Sequence, residues 1–216
     1  IQHDPAWENP GANLAYLDGV MAALPATAEL VLLPEMFSTG FTMRARELAE
    51  PMDGPAVRWM QDIARKKRIV LAGSVIIEAQ GRYYNRLIWA LPNGAVSHYD
   101  KRHLFAFAGE DAVYSPGDTR VIARVKGWKV ALSICYDLRF PVWLRQPPQR
   151  DTRYDLLVTV ASWPAGRSGA WHALLKARAI ENQCYVAGVN RTGTDGQGLR
   201  HAGGSVVFGP AGETVV

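Results

Sequence analysis

The strongest constraint in this sequence is a set of short apolar runs separated by segments of helical spacing. Leu30–Val31–Leu32–Leu33, the run from Ile69 to Ile77, Trp128–Cys135, Asp155–Ala161 and Tyr185–Asn190 all read as strands bounded by turn residues. Before the first of them, Asn9 is a candidate cap and Pro10 suits a first turn. Leu14, Leu17, Met21 and Leu24 then fall on one helical face. Asp53 is the expected cap of a second helix carrying Pro55, Val57, Met60 and Ala64, and a third helix is expected from about Gly169 to Gln183.

Three hairpins fill in the order. Pro92–Asn93–Gly94 joins Tyr84–Leu91 to Ala95–Tyr99, Lys126–Gly127 joins Val121–Val125 to the strand ending at Cys135, and Pro210–Ala211–Gly212 joins Ser205–Phe208 to Glu213–Val216. Strand, helix, strand and hairpin occur from residue 30 to 99, and a similar order runs from residue 155 onward. A helix with one apolar stripe must bury it on a sheet face, so the expectation is an α/β chain of two packed sheets covered by helices. No composition shift marks a linker, so residues 1–216 are expected to form a single domain. The last hairpin stops in strand-like residues, which predicts that terminal elements are missing from this sequence.

Composition narrows the function classes. With 48% hydrophobic residues in 216, the chain can bury a sizeable core. No segment offers the run of about 20 apolar residues that a membrane span needs. The 24 basic residues are interspersed with 20 acidic ones, so a net charge of +4 gives little support to nucleic-acid binding. The densest basic run, Arg65–Lys66–Lys67–Arg68, closes an expected helix, where cations suit the dipole. The 2 cysteines form no CxxC pair, and the opening Ile1–Gln2–His3–Asp4–Pro5 is no signal region, so a reducing cytoplasm is the expected setting. The histidines lack metal-ligand spacing, no Gly-x-Ser-x-Gly elbow is present, and the glycines fit no phosphate or dinucleotide fingerprint. Neither a metal nor a cofactor is therefore implied.

Three residue types with complementary chemistry sit at strand exits. Glu35 follows Leu30–Leu33, Lys101 follows Val96–Tyr99, and Cys135 follows Val130–Ile134. Taken singly, a cysteine in such a strand is more often a small buried hydrophobe, and the acid and the lysine are more often solvated. Taken together they supply a nucleophile, a proton acceptor and donor, and a cation for an oxyanion, and a neighbouring ammonium would favour the thiolate. Asp137 and Arg139 are expected to pair and brace the turn at Cys135. Cys184 is expected to fill the core, and Asn190–Gly196 reads as a flexible polar loop. Spacing alone does not bring these segments together.

The segments Leu32–Leu33–Pro34–Glu35–Met36–Phe37–Ser38–Thr39–Gly40–Phe41, Tyr99–Asp100–Lys101–Arg102–His103–Leu104–Phe105 and Cys135–Tyr136–Asp137–Leu138–Arg139–Phe140–Pro141 occur here in the order seen in the nitrilase or carbon–nitrogen hydrolase superfamily. The chain resembles that superfamily over nearly its whole length, and its motif wording is most similar to the omega-amidase branch. The resemblance implies a four-layer αββα sandwich and a Glu35–Lys101–Cys135 triad. It also implies Glu110 as a second carboxylate and the Tyr136 backbone N–H as an oxyanion donor. Phe41, Phe105 and Trp163 are expected to rim the substrate, with Arg191 a further candidate. The implied activity is hydrolysis of the terminal amide of small 2-oxo acids, with N-carbamoyl-amine or aliphatic amide hydrolysis on the same centre as the alternative. A non-catalytic binding or scaffold protein on this fold is the alternative from another class. The implied partners are a small amide and a second copy of the chain, with a role in methionine salvage.

Overall fold

The protein is described by a computed structural model covering residues 1–149 and 152–216. The first half runs α1 Pro10–Ala22, β1 Leu30–Leu32, α2 Ala45–Leu48, α3 Pro55–Lys67, β2 Val70–Ala79, β3 Arg82–Ala90 and β4 Val96–Asp100. The short helix α4 Glu110–Val113 leads to β5 Ile122–Val125, β6 Trp128–Ile134 and α5 Pro141–Leu144. The remainder is β7 Leu156–Ala161, α6 Ser168–Asn182, β8 Tyr185–Asn190, β9 Thr192–Thr194, β10 Arg200–Ala202 and β11 Val206–Phe208.

Strands β1 to β4 form one sheet in sequence order, parallel between β1 and β2 and antiparallel thereafter. The second sheet has the order β11-β8-β7-β6-β5, with parallel pairs at its centre and an antiparallel strand at each edge. Side chains alternate between faces along these strands, and the buried clusters follow that alternation. Val70, Ala72 and Leu87 of the first sheet meet Val130, Leu132, Ile134 and Val158 of the second. The opposite face of the first sheet, through Leu71, Val75 and Ile77, packs under Leu17 and Met21 of α1 and Met60 and Ala64 of α3. Leu157 and Val186 of the second sheet pack under Trp171, Leu175 and Ala179 of α6. Helix, sheet, sheet and helix are thus stacked in four layers, the αββα sandwich that the resemblance implied.

Local chemistry explains most element boundaries. Asn9 accepts the Ala12 N–H at 3.1 Å and Pro10 begins α1, as its side-chain chemistry predicts. Helix α3 corrects the Asp53 expectation. The Glu50 carboxylate reaches the N–H groups of Ala56 and Val57 at 3.0 and 2.9 Å, while Asp53 remains in solvent and pairs with Arg58. Glu50 has the longer reach and is held at the sheet edge by its bridge to Ile77. Gly94 takes φ +83° in the β3–β4 turn, a conformation that costs a residue without Cβ little.

Two further expectations change. Asn190–Gly196 does not form a loose loop, since β9 pairs antiparallel with β10. After the turn at Gly212, Glu213–Val216 forms no regular strand, although Val215 N–H donates to Val207 O and Val207 N–H donates to Val216 O. Among the described residues no helix is long and apolar enough to cross a membrane.

Candidate active site

The topology brings several strand exits together. Glu35 leaves β1, Lys101 follows β4, Cys135 follows β6, and Ser162 follows β7. Cys135 takes φ +45° and Met36, next to Glu35, takes φ +46°. Left-handed backbone at residues that carry a Cβ concentrates at functional sites, where the surrounding packing holds it in place. Here it turns the chain sharply out of each strand and over the sheet edge.

Lys101, Glu35 and Glu110 are buried. The Lys101 ammonium donates to Glu35 Oε1 at 2.8 Å and to both Glu110 oxygens at 3.0 and 2.8 Å. Asn85, in the middle of β3, donates through one side-chain nitrogen to Glu35 Oε1 at 2.8 Å and Glu110 Oε1 at 3.2 Å. The Ser162 N–H donates to Glu35 Oε2 at 2.9 Å, and the Phe105 N–H donates to Glu110 Oε2 at 2.6 Å. The Cys135 thiol lines the same cleft as Glu35 and Lys101 and lies within reach of both charges. Glu35, Lys101, Glu110 and Cys135 therefore occupy one connected cluster although they are distant in sequence.

Electrostatics fixes the resting protonation of that cluster. Burial alone would lower the Lys101 pKa, but Glu110 and Glu35 outweigh it and raise the ammonium above its ordinary value. Burial, and then the Glu35 charge, push the Cys135 thiol well above its ordinary value, with Lys101 acting in the opposite direction. The ammonium thus favours the thiolate, as expected, but is outweighed. The Lys101 charge is shared between two carboxylates, so burial prevails and the sulfur holds its proton until a base removes it. Burial raises Glu110 as well, against the pull of Lys101.

The turn at Cys135 is braced by Asp137, but not through Arg139 as the sequence suggested. Buried Asp137 accepts the Tyr99 hydroxyl at 2.7 Å, the His103 N–H at 2.8 Å and the Ile134 N–H at 3.0 Å. Arg139 lies outside that network, its guanidinium carbon 5.1 Å from the Trp163 ring centroid. The Tyr136 N–H lies in the first turn of the short helix Cys135–Arg139, where a backbone donor lacks a partner within its own helix.

Glu35, Lys101 and Cys135 line one cleft. Phe41, Phe105, Tyr136 and Trp163 also line it. Arg191, the other pocket residue expected from the sequence, is not among the lining residues. It is fully buried, donates to Asp4 Oδ1 at 2.8 Å, and is held away from the cleft by that pair. Asn190 shapes the wall instead, accepting the Trp163 N–H at 2.7 Å and donating to Trp163 O at 3.0 Å.

Sequence reasoning missed Asn85, Ser162, Arg167, Asp195 and His201 at this site. The available signal for Asn85 was an uncharged polar residue beside Arg86 at the head of the apolar run Leu87–Leu91. His201 donates from Nδ1 to Leu199 O at 3.1 Å, which leaves Nε2 to accept from the Ser162 hydroxyl at 3.3 Å. Burial lowers its pKa, keeping the ring neutral. Cys184 is buried in the core, as expected, and both cysteines are free.

The comparisons with known proteins converge on this geometry. An omega-amidase of Escherichia coli, YafV, is 43% identical over 215 residues, spanning 100% of this chain and 82% of the relative. The crystal structure of XC1258 from Xanthomonas campestris, a CN-hydrolase superfamily protein with an arsenic adduct in its active site, superposes with a TM-score of 0.96 at 42% identity, covering 100% of this chain and 83% of that one. An amidase from a Nesterenkonia species, with acrylamide added at its active-site cysteine, superposes with a TM-score of 0.87 at 30% identity, covering 99% and 85%. Residues 1–216 match the carbon-nitrogen hydrolase family throughout, and the chain belongs to that family of amide-cleaving enzymes.

Proposed function

We propose that the protein is an omega-amidase in which Cys135 attacks the terminal amide of a small 2-oxo acid such as 2-oxoglutaramate or 2-oxosuccinamate. Glu35 accepts the thiol proton as sulfur bonds to the amide carbon, and Lys101 and the Tyr136 N–H stabilise the oxyanion. Glu35 then passes that proton to the amide nitrogen, which leaves as ammonia as the carbon–nitrogen bond breaks. In the second half it takes a proton from water, whose oxygen attacks the thioester carbon and releases the 2-oxo dicarboxylic acid and the restored thiol. Glu110 holds the Lys101 ammonium, while Phe41, Phe105 and Trp163 form the walls against which the substrate chain packs.

The observation that carries this reading is that Cys135 shares one cleft with Glu35 and Lys101, and that the Lys101 ammonium is held by Glu35 and Glu110. The choice of substrate leans on the similarity to a relative described as an omega-amidase. On this reading residues 1–216 act as one domain, and the enzyme works as a cytoplasmic homodimer that clears a transamination by-product in methionine salvage. Both cysteines being free fits a reducing compartment.

The deciding experiment supplies 2-oxoglutaramate, 2-oxosuccinamate, an N-carbamoyl amine and a simple aliphatic amide. Ammonia release is measured while the acyl mass on Cys135 is trapped by rapid acid quench. Preferential turnover of the two 2-oxo acid amides with the matching thioester supports the reading. Selective turnover of the N-carbamoyl compound or the aliphatic amide assigns the same centre to that substrate instead.

A further inference from the structure

We propose that the Ser162 hydroxyl, held by His201 as a hydrogen-bond acceptor, receives an N–H of the scissile amide and makes the site selective for a nitrogen leaving group. The assignment rests on the proposed reaction at Cys135 and Glu35, and not on which acid carries the amide.

Hydrogen-bond direction fixes what Ser162 offers. The Leu199 carbonyl accepts only, so His201 Nδ1, 3.1 Å away, is the protonated nitrogen. The neutral ring then has no proton on Nε2, and the Ser162 hydroxyl at 3.3 Å donates to it. Burial, and then the Arg191 charge, lower the His201 pKa against the pull of Asp195 and keep the ring in that form. Asp195 Oδ2 stands 4.0 Å from Nε2, beyond hydrogen-bond reach. With its one proton committed to His201, Ser162 Oγ keeps lone pairs and no donor for the cleft that both residues line.

An acceptor at this point selects one part of the substrate. A carboxylate, a ketone oxygen and an oxyanion all need donors, whereas the N–H groups of a 2-oxo acid amide, as of an aliphatic amide, sit on the scissile nitrogen. Position agrees with chemistry. The Ser162 N–H donates to Glu35 Oε2 at 2.9 Å, so residue 162 borders the Glu35 oxygen that Lys101 and Asn85 leave free. The nitrogen must approach Glu35 to be protonated, which brings its remaining N–H groups toward Ser162 Oγ. Their hydrogen bond strengthens as the nitrogen gains positive charge, and an interaction stronger in the transition state accelerates the step. The β9–β10 ribbon holds the pair in place. His201 is opposite Gly193 across it, and Asp195 Oδ1 accepts the N–H groups of Gln197 and Leu199 at 2.9 Å each, fixing the residue whose carbonyl orients the ring.

The test compares kcat/KM for 2-oxoglutaramate with that for the corresponding methyl ester, which has the same acyl group and a leaving oxygen without N–H, in the wild type, S162A, H201L and H201Q. A second pair, butanamide and methyl butanoate, is measured alongside. Losing one hydrogen bond to a nitrogen that gains charge corresponds to roughly a 10-fold change. S162A should lower the amide-to-ester ratio by that factor in each pair the wild type cleaves. A displaced Glu35 would instead slow amide and ester alike, because the ester too needs Glu35 to take the thiol proton. H201L should lower the ratio as well, since the freed hydroxyl turns its proton into the cleft. H201Q should restore most of that loss, because its amide oxygen accepts the proton. An S162A ratio equal to that of the wild type overturns the assignment of Ser162. A ratio that falls in S162A and stays unchanged in H201L overturns the positioning role of His201. A wild type that cleaves butanamide and not 2-oxoglutaramate overturns the 2-oxo acid reading alone, and the butanamide pair then decides for or against Ser162.

Discussion

The Tyr99 hydroxyl donates to Oδ2 of Asp137 over 2.7 Å, tying the strand that leads to Lys101 to the turn that starts at Cys135. Two sheets that share no backbone hydrogen bonds in their ladders are joined here by side chains. Trp143 adds a second donor, its Nε1–H reaching Tyr99 Oη at 3.0 Å. Truncating Asp137 to Ala strands the Tyr99 hydroxyl and the N–H groups of His103 and Ile134, whereas Tyr99→Phe strands only the Trp143 Nε1–H and frees one Asp137 oxygen that still accepts from Ile134. In urea titrations Asp137→Ala should cost about 2–4 kcal/mol and Tyr99→Phe about 1–2 kcal/mol. Equal costs, or a neutral Asp137→Ala, would show that the network does not hold the turn.

Cys135→Ala should abolish the covalent acyl intermediate and lower kcat by roughly a thousandfold or more, with little effect on the melting temperature. Quenched-flow mass spectrometry reads the first effect and steady-state ammonia release the second. Burst-phase acylation that survived the substitution would place the nucleophile elsewhere.

Asn85 spans two carboxylates that otherwise share only the Lys101 ammonium. A hydrogen bond to an ionised carboxylate favours that form, so losing the donor raises the carboxylate pKa. Asn85→Leu is expected to reduce kcat by roughly 10- to 100-fold and to move the acid limb of the kcat/KM profile to higher pH. An acid limb that stays in place while kcat falls would make Asn85 a packing residue only.

Acid stability should depend on His3. Its Nε2–H donates to Phe37 O at 3.2 Å, leaving Nδ1 buried without a partner, and burial lowers its pKa from 6.5 to about 4. The unfolded chain therefore binds this proton at higher pH than the folded one. The stability associated with neutral His3 is complete above the unfolded value of 6.5 and is lost as pH falls toward 4. The difference amounts to about 3 kcal/mol across that window. Chemical denaturation at several pH values should show this slope, and His3→Gln should flatten it.

Glu35 and Cys135 were legible because each follows a run of apolar strand residues, so polarity changes abruptly where the chain leaves the sheet, whereas Lys101 follows the mixed segment Val96–Asp100 and was legible through the motif around it. Glu110 was legible only through the motif around it, as a loop acid carries no periodic signal. Asn85 was hidden inside a strand whose pattern was read for its apolar residues. Arg191 was misplaced because an arginine after a strand looks alike in sequence whether it faces a cleft or turns inward to an aspartate such as Asp4. Two packed sheets covered by helices followed from the repeated element order and the four-layer αββα stacking from the resemblance, whereas the β9–β10 ribbon lay in residues whose turn chemistry masks short pairing. The capping role moved from Asp53 to Glu50 because side-chain reach across a turn is a property of three-dimensional shape.

The left-handed backbone of Cys135 limits which nucleophiles this position can ever accept. A threonine there would carry two heavy atoms on Cβ in a region of conformational space that β-branched residues almost never enter. Serine faces no such barrier. Exchange of the attacking atom, whether by mutation in nature or by redesign, is thus restricted to unbranched side chains before any question of reactivity arises.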